Sequence, residues 1–122
     1  MRSVPILYLA FLLIVHLLTG CASLPNSYSG RVAAGYTGLA ITNDTAAVLV
    51  IGGTISKEDG RAVLAQTRTA REVLDVAATL TGQAGEDKLQ QAFALLRAAQ
   101  DALCAQNATD PNCIAMRSRS QP

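Results

Sequence analysis

The chain predicts an all-α fold, a small three-helix bundle in which a helical hairpin carries a packed N-terminal helix, within residues 32–106. Three observations predict it. Apolar residues recur at three- and four-residue steps through two long stretches, the pattern of helices that turn one face inward. These stretches are marked off by glycines, capping hydroxyls and acids placed where helices stop and start. The two are joined by a connection so short that they must lie antiparallel, with the first helix packed across them.

The first helix is expected over Val32 to Ile51, "VAAGYTGLAITNDTAAVLVI". Tyr36, Leu39, Asn43, Ala46 and Val50 keep helical spacing, while Ile41, Val48, Leu49 and Ile51 widen the apolar surface beyond one stripe. The segment is a helix buried on more than one side, or a helix followed by a strand-like run at "AVLVIGG"; the helix is the preferred reading. Thr42, Asn43, Asp44 and Thr45 interrupt it before the roughly 20 apolar residues of a membrane span accumulate. These polar residues either face solvent or make a polar contact inside a helix interface. Gly52 and Gly53 end the helix, because glycine takes the left-handed conformation at little cost.

The second helix starts at Ser56-Lys57-Glu58-Asp59, a capping hydroxyl before two acids that suit the positive end of the helix dipole. Asp59, three residues after Ser56, is placed for a variant of the capping box. Val63, Leu64, Thr67, Ala70, Leu74, Ala77 and Leu80/Thr81 mark its inner face. Arg61, Arg68, Glu72, Asp75 and Thr79 mark the outer one, with Arg68/Glu72 and Arg71/Asp75 spaced for helix-surface pairs. "TGQAGED" at 81–87 reads as a turn whose acids, Glu86 and Asp87, open a third helix. Leu89, Ala92/Phe93, Leu96, Ala99 and Leu103 form that helix's apolar face. Asp110-Pro111-Asn112 is turn chemistry that brings the chain back, so residues 107–122 are expected as a closed turn and a disordered tail with little to bury. The core is rich in alanine, with Tyr36 and Phe93 as the aromatic residues of the predicted helices, so modest stability or dependence on a partner is expected.

Upstream of the bundle the chain has a different character. Arg2 is followed by an apolar run from Val4 to Leu18, a length and order that suit the n- and h-regions of a signal peptide covering residues 1–20. The alternative is an uncleaved N-terminal anchor helix. Directly behind the run, Leu18-Thr19-Gly20-Cys21 resembles the lipobox of bacterial lipoproteins. That resemblance implies cleavage between Gly20 and Cys21, a diacylglycerol on the Cys21 sulfur and acylation of the new N-terminus. Two or more acyl chains make such attachment stable where one does not. Ala22 in place of an aspartate implies sorting to the outer membrane. "CASLPNSYSGR" at 21–31 then reads as a flexible tether.

Cleavage changes the inventory. His16, the single histidine, leaves with the signal segment, and the ten basic residues lose Arg2 to balance the nine acidic ones. A neutral chain without a basic stripe argues against nucleic acid and against polybasic attachment to anionic lipid. With Cys21 lipidated, Cys104 and Cys113 remain as an even pair outside the cytoplasm and are expected to form a disulfide; two separate reduced thiols are the alternative. Loss of the histidine removes the usual Ser-His-Asp and Cys-His arrangements and most transition-metal sites, so no catalytic residue, metal or cofactor is expected. Glu58/Asp59 and Glu86/Asp87 are read as helix-start acids, and Gly52-Gly53-Thr54 lacks the lysine of a phosphate loop. Asn43-Asp44-Thr45 and Asn107-Ala108-Thr109 match a glycosylation acceptor pattern that has no force in a bacterial lipoprotein.

A second resemblance covers residues 37–80, where "VLVIGGTIS" ends one helix and "AVLAQTRTAREVLDVA" follows within a capped one. This is similar to small helical-hairpin proteins of tailed phages and prophages, some encoded beside lysis genes. The expected function is a lipid-anchored, non-enzymatic protein at the periplasmic face of the outer membrane, with the membrane bound through lipid and a protein partner bound through contacts. The phage resemblance implies the alternative, an envelope effector in lysis or superinfection exclusion.

Overall fold

The computed structural model describes residues 27–120, and every regular element among them is an α-helix. Helix α1 spans Tyr28–Ile51, α2 Lys57–Thr79, α3 Gly82–Cys104 and α4 Pro111–Ser120. The three long helices pack into the expected bundle, and α4 is an addition to it. The chain runs up α1, down α2 and up α3. At one end Tyr28 Oη donates to the Ala77 carbonyl at 2.6 Å and lies against Gly85; at the other, Val50 lies against Gly60.

The helix boundaries follow from local chemistry. Ser27 caps α1 by accepting from the Gly30 amide at 3.2 Å. Gly53 has φ +73°, the left-handed setting expected of a helix stop, and the Thr54 amide reaches back to the Leu49 carbonyl at 2.9 Å. Ser56 then caps α2, accepting from the Asp59 amide at 3.0 Å. The Asp59 carboxylate accepts from the Ser56 hydroxyl at 2.7 Å rather than from a backbone amide, so the capping box is closed side chain to side chain.

Three expectations need correction. The tether expected over 21–31 overlaps the helix: residues 28–31 belong to α1, because Tyr28 packs on the core and Arg31 reaches α3. The helix opening expected at Glu86-Asp87 lies earlier, since α3 begins at Gly82 and no acid stands in its first turn. The disordered tail is helical over 111–120. Asp110 Oδ1 accepts from the Asn112 amide at 2.8 Å with Pro111 at the first helical position, so the turn signal is a helix start. Cys113 and Met116, three residues apart, point inward and are almost fully buried.

Two apolar clusters fill the bundle. One joins Val32, Leu39, Leu74, Leu89 and Leu96 with alanines 70, 77 and 92, flanked by Tyr28, Tyr36 and Phe93. The other joins Ala46, Leu49, Val63 and Leu103 with Cys104, Cys113 and Met116, so α4 completes the second cluster by packing on α1. Between them lies a polar layer. Gln100 Nε2 donates to Thr42 Oγ1 at 3.0 Å, Thr42 Oγ1 donates to the Gly38 carbonyl at 2.8 Å, and Thr67 Oγ1 donates to Asn43 Oδ1 at 2.7 Å. Among the described residues no buried side-chain polar atom lacks a partner, as buried polar groups require. Helices α1 and α3 approach closely here: a Cβ on Gly38 would stand 2.7 Å from Leu96 Cδ2.

Candidate functional site

The residues singled out in the sequence separate into several places. Gly20 and Cys21, the expected cleavage and lipidation positions, lie outside the described residues. Cys104, at the end of α3, and Cys113, in the first turn of α4, have their sulfurs 2.05 Å apart and their Cα atoms 5.8 Å apart, which is disulfide distance. Both are fully buried against Leu103, Leu49 and Met116. Their proximity ties α4 to the bundle and is not a reactive centre exposed to substrate.

The acid pairs do not converge. Glu58 and Asp59 stand in the first turn of α2, where their charge suits the dipole. Glu86 instead crosses to α1 and forms a two-point pair with Arg31, whose Nη1 donates to Oε2 at 2.8 Å. That hydrogen bonding raises the Arg31 pKa above its ordinary value, against a smaller opposing effect of desolvation. Asp87 accepts from Gln83 Nε2 at 2.8 Å on its own helix. No group of three or more His, Cys, Asp or Glu residues among those described is placed to hold a metal ion. No helix among them is long and apolar enough to cross a membrane.

The Thr42-Asn43-Asp44 stretch takes the interface role. Thr42 is fully buried in the polar layer, Asn43 reaches across to α2, and Asp44 faces water. Beside this layer the α1–α2 seam opens into a cleft of about 430 Å³. Tyr36, Ala40 and Asn43 form one wall, and Leu64, Arg68 and Arg71 the other. The volume is within the range of about 300–1,000 Å³ typical of small-molecule sites. Leu64, Arg68 and Arg71 recur at steps of four and three on α2, so they stand in a row about 5–6 Å apart.

Arg68 and Arg71 give the cleft a cationic lining. Neither Arg68 nor Arg71 makes a hydrogen bond or ion pair among the described residues. Their expected partners at four-residue spacing do not take them up. Asp75 accepts instead from the Tyr36 hydroxyl of α1. That bond is the main reason the Tyr36 pKa is raised above the ordinary phenol value, followed by desolvation and the Asp75 charge, with Arg71 opposing. Leu64 adds an aliphatic surface to the row and is 44% exposed. Two guanidiniums without a bonded partner among the described residues, an exposed leucine and an amide at a helix seam can bind a ligand. A second cleft, about 150 Å³, lies near Asp59, Gln66 and Asn107 and has no comparable charge.

Arg68 and Arg71 carry surface roles in a one-dimensional reading. Their common wall becomes visible only with α1 laid beside them. No family model, curated protein or solved structure matches this chain.

Proposed function

We propose that the chain is a lipid-anchored, non-enzymatic envelope protein that acts through protein contacts at the periplasmic face of the outer membrane. The observation that carries the reading is Leu18-Thr19-Gly20-Cys21 standing directly behind Arg2 and the apolar run from Val4 to Leu18. Several structural facts are compatible with it. The bundle begins at Tyr28, so the residues from Cys21 to the first helix reach at most about 25 Å even when fully extended. The protein would work close to its membrane. The Cys104 and Cys113 pair at bonding distance suits an oxidising compartment, where the disulfide we assign to it persists. The cationic cleft offers a contact surface.

Anchoring is tested by Cys21→Ser. Metabolic labelling with a radioactive or alkyne fatty acid is expected to be lost and the protein released from membranes. Unchanged membrane retention would overturn the lipid anchor in favour of an uncleaved N-terminal helix.

A second reading is supported by the hairpin over residues 37–80, in which a helix stopped at Gly52-Gly53 is followed at once by one capped at Ser56. Its likeness to phage-encoded hairpin proteins supports an envelope effector in lysis or superinfection exclusion. Holin or endolysin genes beside the coding sequence favour this reading, and envelope-assembly genes count against it.

A further inference from the structure

We propose that the α1–α2 cleft is a docking site for an acidic peptide segment of a partner protein, one that presents two carboxylates about one helical turn apart next to an aliphatic side chain. The inference rests on the protein-contact reading above and specifies where the contact is made and with what chemistry.

The argument begins with the arginines. Each guanidinium is a planar fork suited to two-point hydrogen bonding with a carboxylate. Arg31 shows that two-point geometry in this protein, on Glu86. Among the described residues Arg68 and Arg71 make no such bond, although Glu72 and Asp75 stand four residues along the same helix; Arg61 and Arg97 make none either, and what sets Arg68 and Arg71 apart is that both line one cleft. Asp75 accepts from Tyr36 on α1 and keeps its own charge, and among the described residues no carboxylate is bonded to either of the two guanidiniums that line the cleft. A ligand supplying two negative charges meets that field.

The rest of the cleft selects the kind of anion. An inorganic anion or a single phosphate can bridge both forks but leaves Leu64 and Ala40 without a partner. Leu64, nearly half exposed, stands one turn before Arg68 in the same row. An aliphatic side chain laid on Leu64, followed along the row by two acids, fills the apolar end and the charged end together. Asn43, on the opposite wall, already accepts from Thr67 through Oδ1, so its amide nitrogen remains to donate to a peptide carbonyl. A peptide offers all three partners at once.

The test is site-specific photocrosslinking in intact cells with the full-length protein. A benzophenone amino acid replaces Ala40 in the cleft wall, and in separate strains replaces Ala98 on exposed α3 or Ile114 on exposed α4. The Ala40 probe is expected to join a protein segment that mass spectrometry reads as carrying two acidic residues within about four positions of each other and an aliphatic neighbour. Arg68→Glu/Arg71→Glu is expected to lower that yield by about tenfold or more, and Arg97→Glu on α3 to leave it unchanged. Circular dichroism confirms that the double variant remains folded, as exposed substitutions allow. Joining to a lipid, a glycan or a segment without acids overturns the proposal, as does an unchanged yield in the double variant. Protein adducts from the Ala98 or Ile114 probes with none from Ala40 sink the cleft and leave the protein-contact reading standing. Absence of protein adducts from all three overturns both.

Discussion

Thr42→Val is a nearly isosteric change at a fully buried position, and its effect depends on which partner it strands. Gln100 is 7% exposed and its Nε2 donates to Thr42 Oγ1 at 3.0 Å. Valine removes that acceptor and leaves a buried amide donor without a bond. An unmade bond of this kind costs about 1–3 kcal/mol, equivalent to a fall in Tm of about 5–20 °C for a domain of this size. The reverse deletion is milder. In Gln100→Leu the Thr42 hydroxyl keeps its bond to the Gly38 carbonyl at 2.8 Å, so the expected loss stays near or below about 1 kcal/mol. Changing both residues leaves neither group stranded, and Thr42→Val/Gln100→Leu is expected to regain most of the stability lost in Thr42→Val. Urea unfolding followed by far-ultraviolet circular dichroism measures all four proteins, with equal m-values confirming that the same transition is compared. Two results would refute the reasoning: Thr42→Val within about 0.5 kcal/mol of the parent, or a double variant less stable than Thr42→Val alone.

Two further expectations concern the ends of the bundle. Cys104→Ser/Cys113→Ser is expected to lose about 2–3 kcal/mol through the unfolded chain, and α4 to detach so that limited proteolysis with trypsin cuts at Arg117 before the long helices; equal digestion of parent and variant would contradict this. Phenolate absorbance is expected to show Tyr36 titrating above the ordinary tyrosine value, and Asp75→Asn to bring it down by removing the carboxylate acceptor. Because the folded value is raised, the stability this bond contributes is complete below the unfolded value of about 10 and is lost as pH climbs through the folded one. The stability difference between parent and Asp75→Asn should therefore shrink at high alkalinity, and a difference that grows there would contradict the assignment.

The two helices with a single apolar stripe were legible in the residues. Val63, Thr67, Ala70, Leu74 and Ala77 on α2, and Leu89, Ala92, Leu96, Ala99 and Leu103 on α3, are buried where their spacing places them. Leu64 departs from that pattern, since α1 crosses near enough to use Thr67 and not near enough to cover it. Helix α1 begins earlier than its apolar content indicates because Ser27 supplies a cap within a stretch whose serines, proline and glycine read as a linker. Helix α4 was hidden for a related reason: Asp-Pro-Asn serves equally as a turn and as a capped helix start, and the choice is made by Cys113 and Met116 finding α1. The cleft had no signature of its own. It joins Arg68 and Arg71 of α2 to Tyr36 and Asn43 of α1, a juxtaposition of residues on different helices that spacing along one helix does not reveal.

The polar layer also settles a question of rotation. Helix α1 carries apolar residues around most of its circumference, with Ile51 87% exposed and Val48 half exposed while Leu49 is buried. Hydrophobic burial alone therefore discriminates weakly among the ways of turning α1 about its axis or sliding it by a turn. Alongside the bonds of Tyr28, Arg31 and Tyr36 nearer the start of the helix, Thr42 and Asn43 narrow that freedom. They aim at different helices, α3 through Gln100 and α2 through Thr67, and both bonds close only at one azimuth and one axial setting. The pair works as an alignment key, and an apolar helix takes its orientation in part from two polar residues near its middle.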